Sequence, residues 1–379
     1  MKPEDFKLSP TEHDNQFQKI RSDALAGRTP ETRPRAVFTG GQPGSGKSMI
    51  AAQAMKDFGY NAVRVDADEL RPYHKDYERL MGAGVKNAPD LVHADAGRWA
   101  ASLTHAAMEQ RYNLVIDGTM RDPQAIATVA SRLREAGYVV EGRVMAVNEL
   151  VSTLHVHKRY ENQVQAQGVG RFSTKEQHDR AYSGLPTSLE LLERNKALDK
   201  LTLFNRDGAA IYRNELVGDR WLEAPAARQA LDIERNREMT LDEKRDLAAG
   251  WGAVVKQMKE RAAPADEIAS TTKLATEEIR KSASHGRGRG YEKLFASAEQ
   301  MRKQPALVGK FASLVASQEG AKRAQLEGVQ QAIAKMGDRL AARKQEAVSD
   351  AAPKPPKLPA PAKPGIVAPK RNKDADKDR

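Results

Sequence analysis

Gly41-Gln-Pro-Gly-Ser-Gly-Lys-Ser48 is the stretch that decides the fold of this chain, and it directly follows the apolar residues 36–38. In a G-x-x-x-x-G-K-[ST] loop, glycines let backbone N–H groups face phosphate oxygens, the lysine reaches the β- and γ-phosphates, and the serine faces Mg²⁺. A helix-favouring segment, residues 49–56, follows, so strand, loop and helix stand in the required order. The sequence therefore predicts a P-loop that binds a nucleoside triphosphate through Gly41, Gln42, Pro43, Gly44, Ser45, Gly46, Lys47 and Ser48.

The composition excludes several classes of protein. The 379 residues carry a net charge of +11, and the excess lies late in the chain: residues 1–215 hold 30 basic against 28 acidic side chains, and residues 216–379 hold 32 against 23. The absence of cysteine excludes disulfides, thiolate nucleophiles and Cys-ligated zinc. No apolar run approaches the roughly 18 residues of a membrane span, and the polar start is unlike a signal peptide, so we expect a cytoplasmic protein without a membrane partner.

Apolar, β-rich segments alternate with helical ones up to about residue 215. We predict strands over residues 35–38, 61–65, 113–116, 138–147 and 201–212, the last as a hairpin around an Asp-Gly turn. This alternation predicts an α/β fold with a mostly parallel sheet flanked by helices and a ligand at the carboxyl ends of the strands. We assign residues 1–222 to this domain.

The chain becomes Ala-, Lys- and Glu-rich after about residue 223. We predict helices over residues 224–238, 241–261, 265–282, 291–303 and 307–345, and hence a mainly helical extension over 223–350. Seven prolines and a charged end predict a disordered, basic Pro/Lys-rich tail over 351–379. Alternating charges with few aromatic residues favour a role in docking another protein. The alternatives are an autoinhibitory segment that folds back over the P-loop and a basic tail that binds a secretion or nucleic-acid partner.

Phosphoryl transfer needs a metal site, a group that deprotonates the acceptor and fixed positive charge on the migrating group. Asp66 and Asp68, which we expect two apart on the second strand, are candidates for the base, with helix capping as the alternative reading. Asp117 ends the third predicted strand, where a buried acid needs a partner such as Mg²⁺, although turn capping is also possible. Arg159 and Arg171 can supply the positive charge.

Two other patterns carry less weight. His155 and His157 lack the third ligand that a zinc site requires, so we do not expect metal there. Asn195-Lys-Ala-Leu-Asp199 differs in spacing from the guanine-selecting motif of GTPases.

The motifs, in their order, resemble the zeta toxin family of bacterial toxin–antitoxin systems over about residues 10–215. The ordered set comprises the P-loop, Val65-Asp-Ala-Asp-Glu-Leu-Arg71, Leu114-Val-Ile-Asp-Gly-Thr119, Lys158-Arg-Tyr-Glu161, Arg171-Phe-Ser-Thr174 and Leu203-Phe-Asn-Arg-Asp-Gly208. The resemblance implies a P-loop kinase-like fold. It also implies an ATP- and Mg²⁺-dependent kinase that phosphorylates UDP-N-acetylglucosamine on a sugar hydroxyl and is held inactive by a small helical antitoxin.

The resemblance also implies roles for individual residues. Lys47 and Ser48 take the ATP and Mg²⁺ roles, Asp117 is a second metal candidate, Asp68 is the acceptor-activating base, and Arg159 and Arg171 clamp the γ-phosphate. The sugar nucleotide is expected at Asp66, Asp117, Thr119 and Arg121. Two departures concern the acceptor: Asp117 stands where the family usually has Glu, and residues 98–104 lack the carboxylate expected to touch the sugar.

Three other functions fit part of the sequence. A P-loop kinase acting on another nucleotide or an antibiotic hydroxyl would use the same motifs. A P-loop ATPase or switch would need no small-molecule acceptor. A nucleic-acid binder would use the basic second part, but the aromatic residues that stack on bases are nearly missing there, so we expect no nucleic-acid partner.

Overall fold

The computed structural model describes residues 1–85 and 87–285. Within them the strands are β1 (Arg35–Gly40), β2 (Ala62–Val65), β3 (Asn113–Ile116), β4 (Val139–Met145), β5 (Lys200–Phe204), β6 (Ala210–Val217) and β7 (Arg220–Trp221). They form one sheet in the order β2-β3-β1-β4-β5-β6-β7. The pairs β1–β3, β1–β4, β2–β3 and β4–β5 are parallel, whereas β5–β6 and β6–β7 are antiparallel. The predicted mostly parallel sheet is confirmed.

The predicted terminal hairpin is also present. β5 and β6 are joined by a turn in which Gly208 has φ +83°, a conformation that favours glycine. Asn205 accepts hydrogen bonds from the backbone of Asp207 and Ala209 and fixes this turn.

Helices flank the sheet and begin at recognisable caps. Thr174 and Gln177 form a capping box at the start of α9, and Thr240 and Glu243 form one at the start of α11. The α-helices are α1 (Pro10–Leu25), α2 (Lys47–Asp57), α3 (Ala67–Leu70), α4 (Tyr77–Gly82), α5 (Ala88–Leu91), α6 (His93–Glu109), α7 (Pro123–Glu135), α8 (Glu149–Gln167), α9 (Lys175–Arg194), α10 (Ala227–Asn236), α11 (Leu241–Glu260) and α12 (Ala265–Ser284). Short 3₁₀ helices cover Pro3–Phe6 and Arg71–Tyr73.

The main hydrophobic core lies between the sheet and its helices, with Trp99 and Leu103 of α6 fully buried in it. A second buried cluster joins Leu150 and Leu154 of α8 to Trp251 and Val254 of α11. Val151 of α8 packs against a separate buried cluster that includes Met145 of β4, so α8 contacts both the sheet and the late helices.

The helices predicted over 224–238, 241–261 and 265–282 correspond to α10, α11 and α12. Those predicted over 291–303 and 307–345, and the tail over 351–379, lie outside the described residues. None of the helices that the structure describes is both long and apolar enough to span a membrane.

Candidate active site

The P-loop leaves β1 at Gly40 and enters α2 at Lys47. Gly41, Gly44 and Gly46 have φ of +137°, +78° and +96°, so all three use backbone conformations that favour glycine. A Cβ added to Gly44 would lie 2.0 Å from the backbone oxygen of Ser152 in α8. The loop therefore needs glycine at position 44 for two reasons, its φ and its close approach to α8.

Gln42 is a fully buried part of the loop. Its Nε2 donates to the backbone oxygen of Val147 at 2.8 Å and to Ser152 Oγ at 3.1 Å. Its Oε1 accepts a hydrogen bond from Arg235 Nη2 of α10 at 3.0 Å. Sequence reasoning missed Arg235, because it belongs to no motif and lies 193 residues away along the chain.

Lys47 sits among the charged residues predicted for the site. Its Nζ donates to the backbone oxygen of Gln42 at 3.4 Å. Desolvation of the ammonium lowers the pKa of Lys47, while the nearby carboxylates, Asp117 foremost, oppose this shift. The lysine is thus a partly desolvated cation, which a bound polyanion would stabilise further.

Several buried donors near the loop have no hydrogen-bond partner among the described residues. They include Ser45 Oγ and the Nε atoms of Arg64, Arg71, Arg159 and Arg235, and the Nε atoms of the distant Arg28 and Arg134 are unpartnered as well. Buried polar groups in proteins are normally satisfied, so the unpartnered Ser45 hydroxyl of the loop, beside the Lys47 ammonium, fits a ligand rich in acceptor oxygens. A triphosphate has this chemistry, and the residues present therefore fit ATP.

Asp66 and Asp68 do not lie on a strand, and this expectation was wrong. β2 ends at Val65, Asp66 is the N-cap of α3 and accepts a hydrogen bond from the backbone N–H of Asp68 at 2.9 Å. Aspartate is a preferred N-cap residue, and here the capping interaction ends the strand. The two side chains consequently have different partners instead of sharing one face of a strand.

The two aspartates differ in environment. Burial, together with the neighbouring Asp117 and Asp68 carboxylates, raises the pKa of Asp66 to about 6. Asp68 is held by two guanidinium groups: its Oδ1 pairs with Arg71 at 2.7 Å and its Oδ2 pairs with Arg171. Arg71 stands in the Asp-Glu-Leu-Arg motif, but sequence reasoning gave it no role.

Asp117 directly follows β3, as predicted. Its Oδ1 accepts a hydrogen bond from the buried Thr39 hydroxyl at 2.8 Å. Arg64 places Nη2 3.4 Å from an oxygen of Asp117 and 3.4 Å from an oxygen of Asp66, and so links the two strand ends. No motif pointed to Arg64 or Thr39, which face the site only because β1, β2 and β3 are neighbours in the sheet.

The two predicted clamp arginines face the same carboxylates. Arg159 of α8 donates from Nη2 to Ser173 Oγ at 2.9 Å, and burial, followed by repulsion from Arg171, lowers the pKa of Arg159 to about 10. Arg171 lies on the loop between α8 and α9, and its backbone N–H donates to Gln163 at 2.8 Å. The structure thus brings Lys47, Asp66, Asp68, Asp117, Arg159 and Arg171 together at the carboxyl edge of the sheet.

The remaining predicted residues are more peripheral. The backbone oxygen of Thr119 accepts a hydrogen bond from the N–H of Gly41 at 3.2 Å, so the turn after β3 borders the P-loop. Arg121 is exposed at the end of this turn. Ser48 is exposed in the first turn of α2.

His155 and His157 lie on α8 with different neighbours. His155 Nδ1 lies 2.8 Å from the backbone oxygen of Val151, and the ring of His157 contacts those of Phe172 and Trp251. In the part of the chain that the structure covers, no group of three or more histidine or acidic side chains is placed to hold a metal ion.

A cavity of about 560 Å³ lies beside the P-loop on the β4–β5 side. Arg206 of the β5–β6 turn borders it and donates from Nη1 to the backbone oxygen of Ser45 at 3.1 Å. α8 contributes His155 and Lys158 to its wall, and α11 contributes Leu247 and Ala253. The acidic residues of the site lie on the opposite, β2–β3 side of the loop, so the cavity and the carboxylates flank the P-loop.

Comparisons with known proteins point to one family. The chain is 29% identical to Toxin zeta of Streptococcus pyogenes over 234 residues, which are 60% of this chain and 79% of that protein. It is 29% identical to Toxin PezT of Streptococcus pneumoniae over 187 residues, 49% of this chain and 74% of that protein. A solved structure from the PezAT toxin–antitoxin system of S. pneumoniae shares the fold with a TM-score of 0.58 at 23% identity, covering 68% of this chain and all of that one.

The sequence profile named Zeta toxin matches residues 18–217, which include the P-loop, every predicted site residue and the β5–β6 hairpin. On this match, the chain belongs to the zeta toxin family and has its P-loop kinase-like fold.

Proposed function

We propose that this protein is a kinase that transfers the γ-phosphate of ATP to a hydroxyl of a sugar nucleotide, UDP-N-acetylglucosamine or a close relative. The observation that carries the proposal is the convergence of Lys47, Asp68, Arg159 and Arg171 at one edge of the P-loop. These are the cations and the carboxylate that phosphoryl transfer to an alcohol requires.

The donor is assigned to the P-loop and the adjoining cavity. The glycine N–H groups and Lys47 would hold the phosphates. The nucleoside would extend into the 560 Å³ cavity, because Arg206, which borders that cavity, also hydrogen-bonds to the P-loop backbone at Ser45. Serine and aspartate oxygens suit Mg²⁺, so Ser48 and Asp117 would hold the ion beside the bound phosphates, where it would neutralise charge on the transferred group.

The acceptor reacts next to Asp68. Its hydroxyl gives its proton to the Asp68 carboxylate while its oxygen bonds to the γ-phosphorus, and the bond from that phosphorus to the β–γ bridging oxygen breaks, leaving ADP with the electron pair. Arg159 and Arg171 offset the negative charge on the phosphoryl oxygens. Because Arg171 pairs with Asp68 in this structure, its guanidinium has to turn from the base to the phosphate when both substrates bind.

The family membership supports a role as the toxin of a toxin–antitoxin pair, with a helical antitoxin as partner. Thr119 and Arg121, on the turn beside the P-loop, are the residues proposed to hold the sugar nucleotide. A kinase acting on another nucleotide or on an antibiotic hydroxyl would use the same catalytic group, so the acceptor needs a direct test.

The test incubates the full-length protein with labelled ATP, Mg²⁺ and a panel of sugar nucleotides, nucleotides and aminoglycosides, and identifies the products by mass. We expect a singly phosphorylated UDP-N-acetylglucosamine and no product with Lys47→Ala. Transfer to a different class of acceptor would replace the sugar-nucleotide assignment, and ATP hydrolysis without any phosphorylated acceptor would refute the kinase proposal.

A further inference from the structure

Arg235 is a buried cation behind the P-loop. It belongs to α10, and only 2% of the residue is exposed. In the described part of the chain, Asp232 and Glu149 are the carboxylates that act on its charge, and neither forms an ion pair with it. Burying a cation without a paired carboxylate costs free energy, so other contacts have to offset that cost.

The guanidinium is fixed by three contacts. Nη1 donates to the backbone oxygen of Tyr182 at 2.8 Å, and Nη2 donates to Gln42 Oε1 at 3.0 Å. Its central carbon lies 3.9 Å from the centroid of the Tyr182 ring, within the range of a cation–π interaction. Burial lowers the pKa of Arg235 to about 10, so the group still carries its charge at neutral pH.

Gln42 links this cation to the phosphate-binding lysine. The Gln42 side chain is held at both ends, by Arg235 at its oxygen and by Val147 and Ser152 at its nitrogen. Its backbone oxygen accepts a hydrogen bond from Lys47 Nζ. A shift of the Gln42 side chain would therefore move the backbone group that orients Lys47.

The backbone of Arg235 is anchored as well. Asn148, the N-cap residue of α8, donates from Nδ2 to the Arg235 backbone oxygen at 3.0 Å, and His285 Nε2 lies 3.0 Å from the same oxygen. Asn148 at the start of α8 and His285, directly after α12, thus hold the backbone of Arg235 in place.

We propose that Arg235 is a positioning residue for the nucleotide-binding loop. It keeps Gln42, and through Gln42 the ammonium of Lys47, in the arrangement that receives the donor phosphates, and its own charge adds to the positive potential behind the loop. The inference rests on the proposed function. It extends the donor site beyond residues 18–217, the part that matches the family, into α10.

The test measures ATP affinity by titration calorimetry, with Mg²⁺ present, for the full chain and its variants. Arg235→Met removes the charge and both hydrogen bonds, and we expect affinity to fall roughly tenfold or more, as for loss of a hydrogen bond to a charged group. Arg235→Lys keeps the cation but loses the forked geometry, so we expect a smaller loss. Arg228→Met, on the exposed face of the same helix where Arg228 pairs with Glu190, is the matched control and should bind within about twofold of wild type.

A double-mutant cycle separates positioning from general support of the fold. If Arg235 acts through Gln42, the losses of ATP affinity caused by Arg235→Lys and Gln42→Leu will be less than additive, and the acceptor KM will stay unchanged. ATP affinity equal to wild type in a folded Arg235→Lys or Arg235→Met protein, or strictly additive losses, would overturn the inference. If the Arg235→Met protein does not fold, the double-mutant cycle with Arg235→Lys and Gln42→Leu tests the inference. Failure of the wild-type chain itself to bind ATP would instead refute the proposed function.

Discussion

Asp68 lies between the guanidinium groups of Arg71 and Arg171, and this placement couples the proposed base to the proposed clamp. While both arginines are paired with it, each of the two Asp68 carboxylate oxygens faces a guanidinium group. The proposed turn of Arg171 to the phosphate would release one of these oxygens. The base and the positive charge on the phosphate would thus become available in the same step.

Asp68→Asn should lower kcat far more than it weakens ATP binding. The amide cannot accept the acceptor proton, and losses of a general base are roughly 10²–10⁴-fold. Asp66→Asn should cost less, because Asn also caps α3 and Asp66 is assigned no proton transfer. Steady-state kinetics with both substrates varied measures both effects; equal losses, or the reverse order, would contradict the assignment of the base.

Asp66 should make the stability of the protein depend on pH. The pKa of Asp66 is about 6 in the folded chain, against 3.8 for the free group. Between pH 3.8 and about 6, Asp66 is therefore protonated in the folded state and ionised in the unfolded state. Stability from this group is therefore present below about pH 3.8 and is lost as the pH rises through about 6. Wild type should lose on the order of 2–3 kcal/mol of unfolding free energy relative to Asp66→Asn between pH 4 and 7.

Urea unfolding of both proteins across this pH range measures the difference. A constant difference between them would show that Asp66 titrates alike in the folded and unfolded chain.

The packing of the P-loop against α8 is the contact between elements that fixes the site. α8 presents the backbone oxygen of Ser152 to Gly44, its Ser152 hydroxyl to Gln42 and, two turns later, Arg159 to the carboxylates. α8 therefore supports the P-loop and also carries Arg159, one of the cations of the site.

Gly44→Ala should abolish ATP binding and destabilise the protein. The new Cβ would meet the Ser152 oxygen at 2.0 Å, and φ of +78° adds backbone strain of about 1–2 kcal/mol. Gly59→Ala is the matched control, since Gly59 has φ +56° with no atom within 4 Å of an added Cβ, and should show the strain without the loss of ATP binding. Thermal unfolding and ATP titration compare the two; similar ATP affinities would show that the contact with α8 does not shape the loop.

At the scale of the whole molecule, the helices after residue 222 are packed into the first part of the chain. Beyond the shared cluster of α8 and α11, Arg261 pairs with the buried Glu161 of α8 at 2.7 Å. These contacts cover a face of α8 that would be apolar and exposed in a shorter chain. They favour a structural role for α10–α12 over a separable docking module.

A chain ending at residue 285 should therefore fold and bind ATP like the full protein, whereas a chain ending at residue 222 should not. The shorter chain loses the partners of Leu150 and Leu154 together with Arg235, and removing one large core side chain alone typically costs about 3–5 kcal/mol. Soluble yield, thermal unfolding and ATP affinity of both chains provide the comparison. If the 222-residue chain transferred phosphate at a rate within a few-fold of the 379-residue chain, the late helices would be a separable docking module, as expected from the sequence.

The sequence by itself determined the P-loop, the order of strands and helices, the turn at Gly208 and the family, because these depend on local patterns: glycine spacing, apolar periodicity and capping residues. The sequence placed Asp66 and Asp68 on a strand, because the apolar periodicity does not show that a helix cap at Asp66 ends β2. Only the tertiary structure decided that Arg64 links two strand ends, that Gly44 touches α8 and that Arg235 reaches Gln42 from 193 positions away. Such contacts depend on which elements become neighbours in space, and spacing along one chain does not encode that.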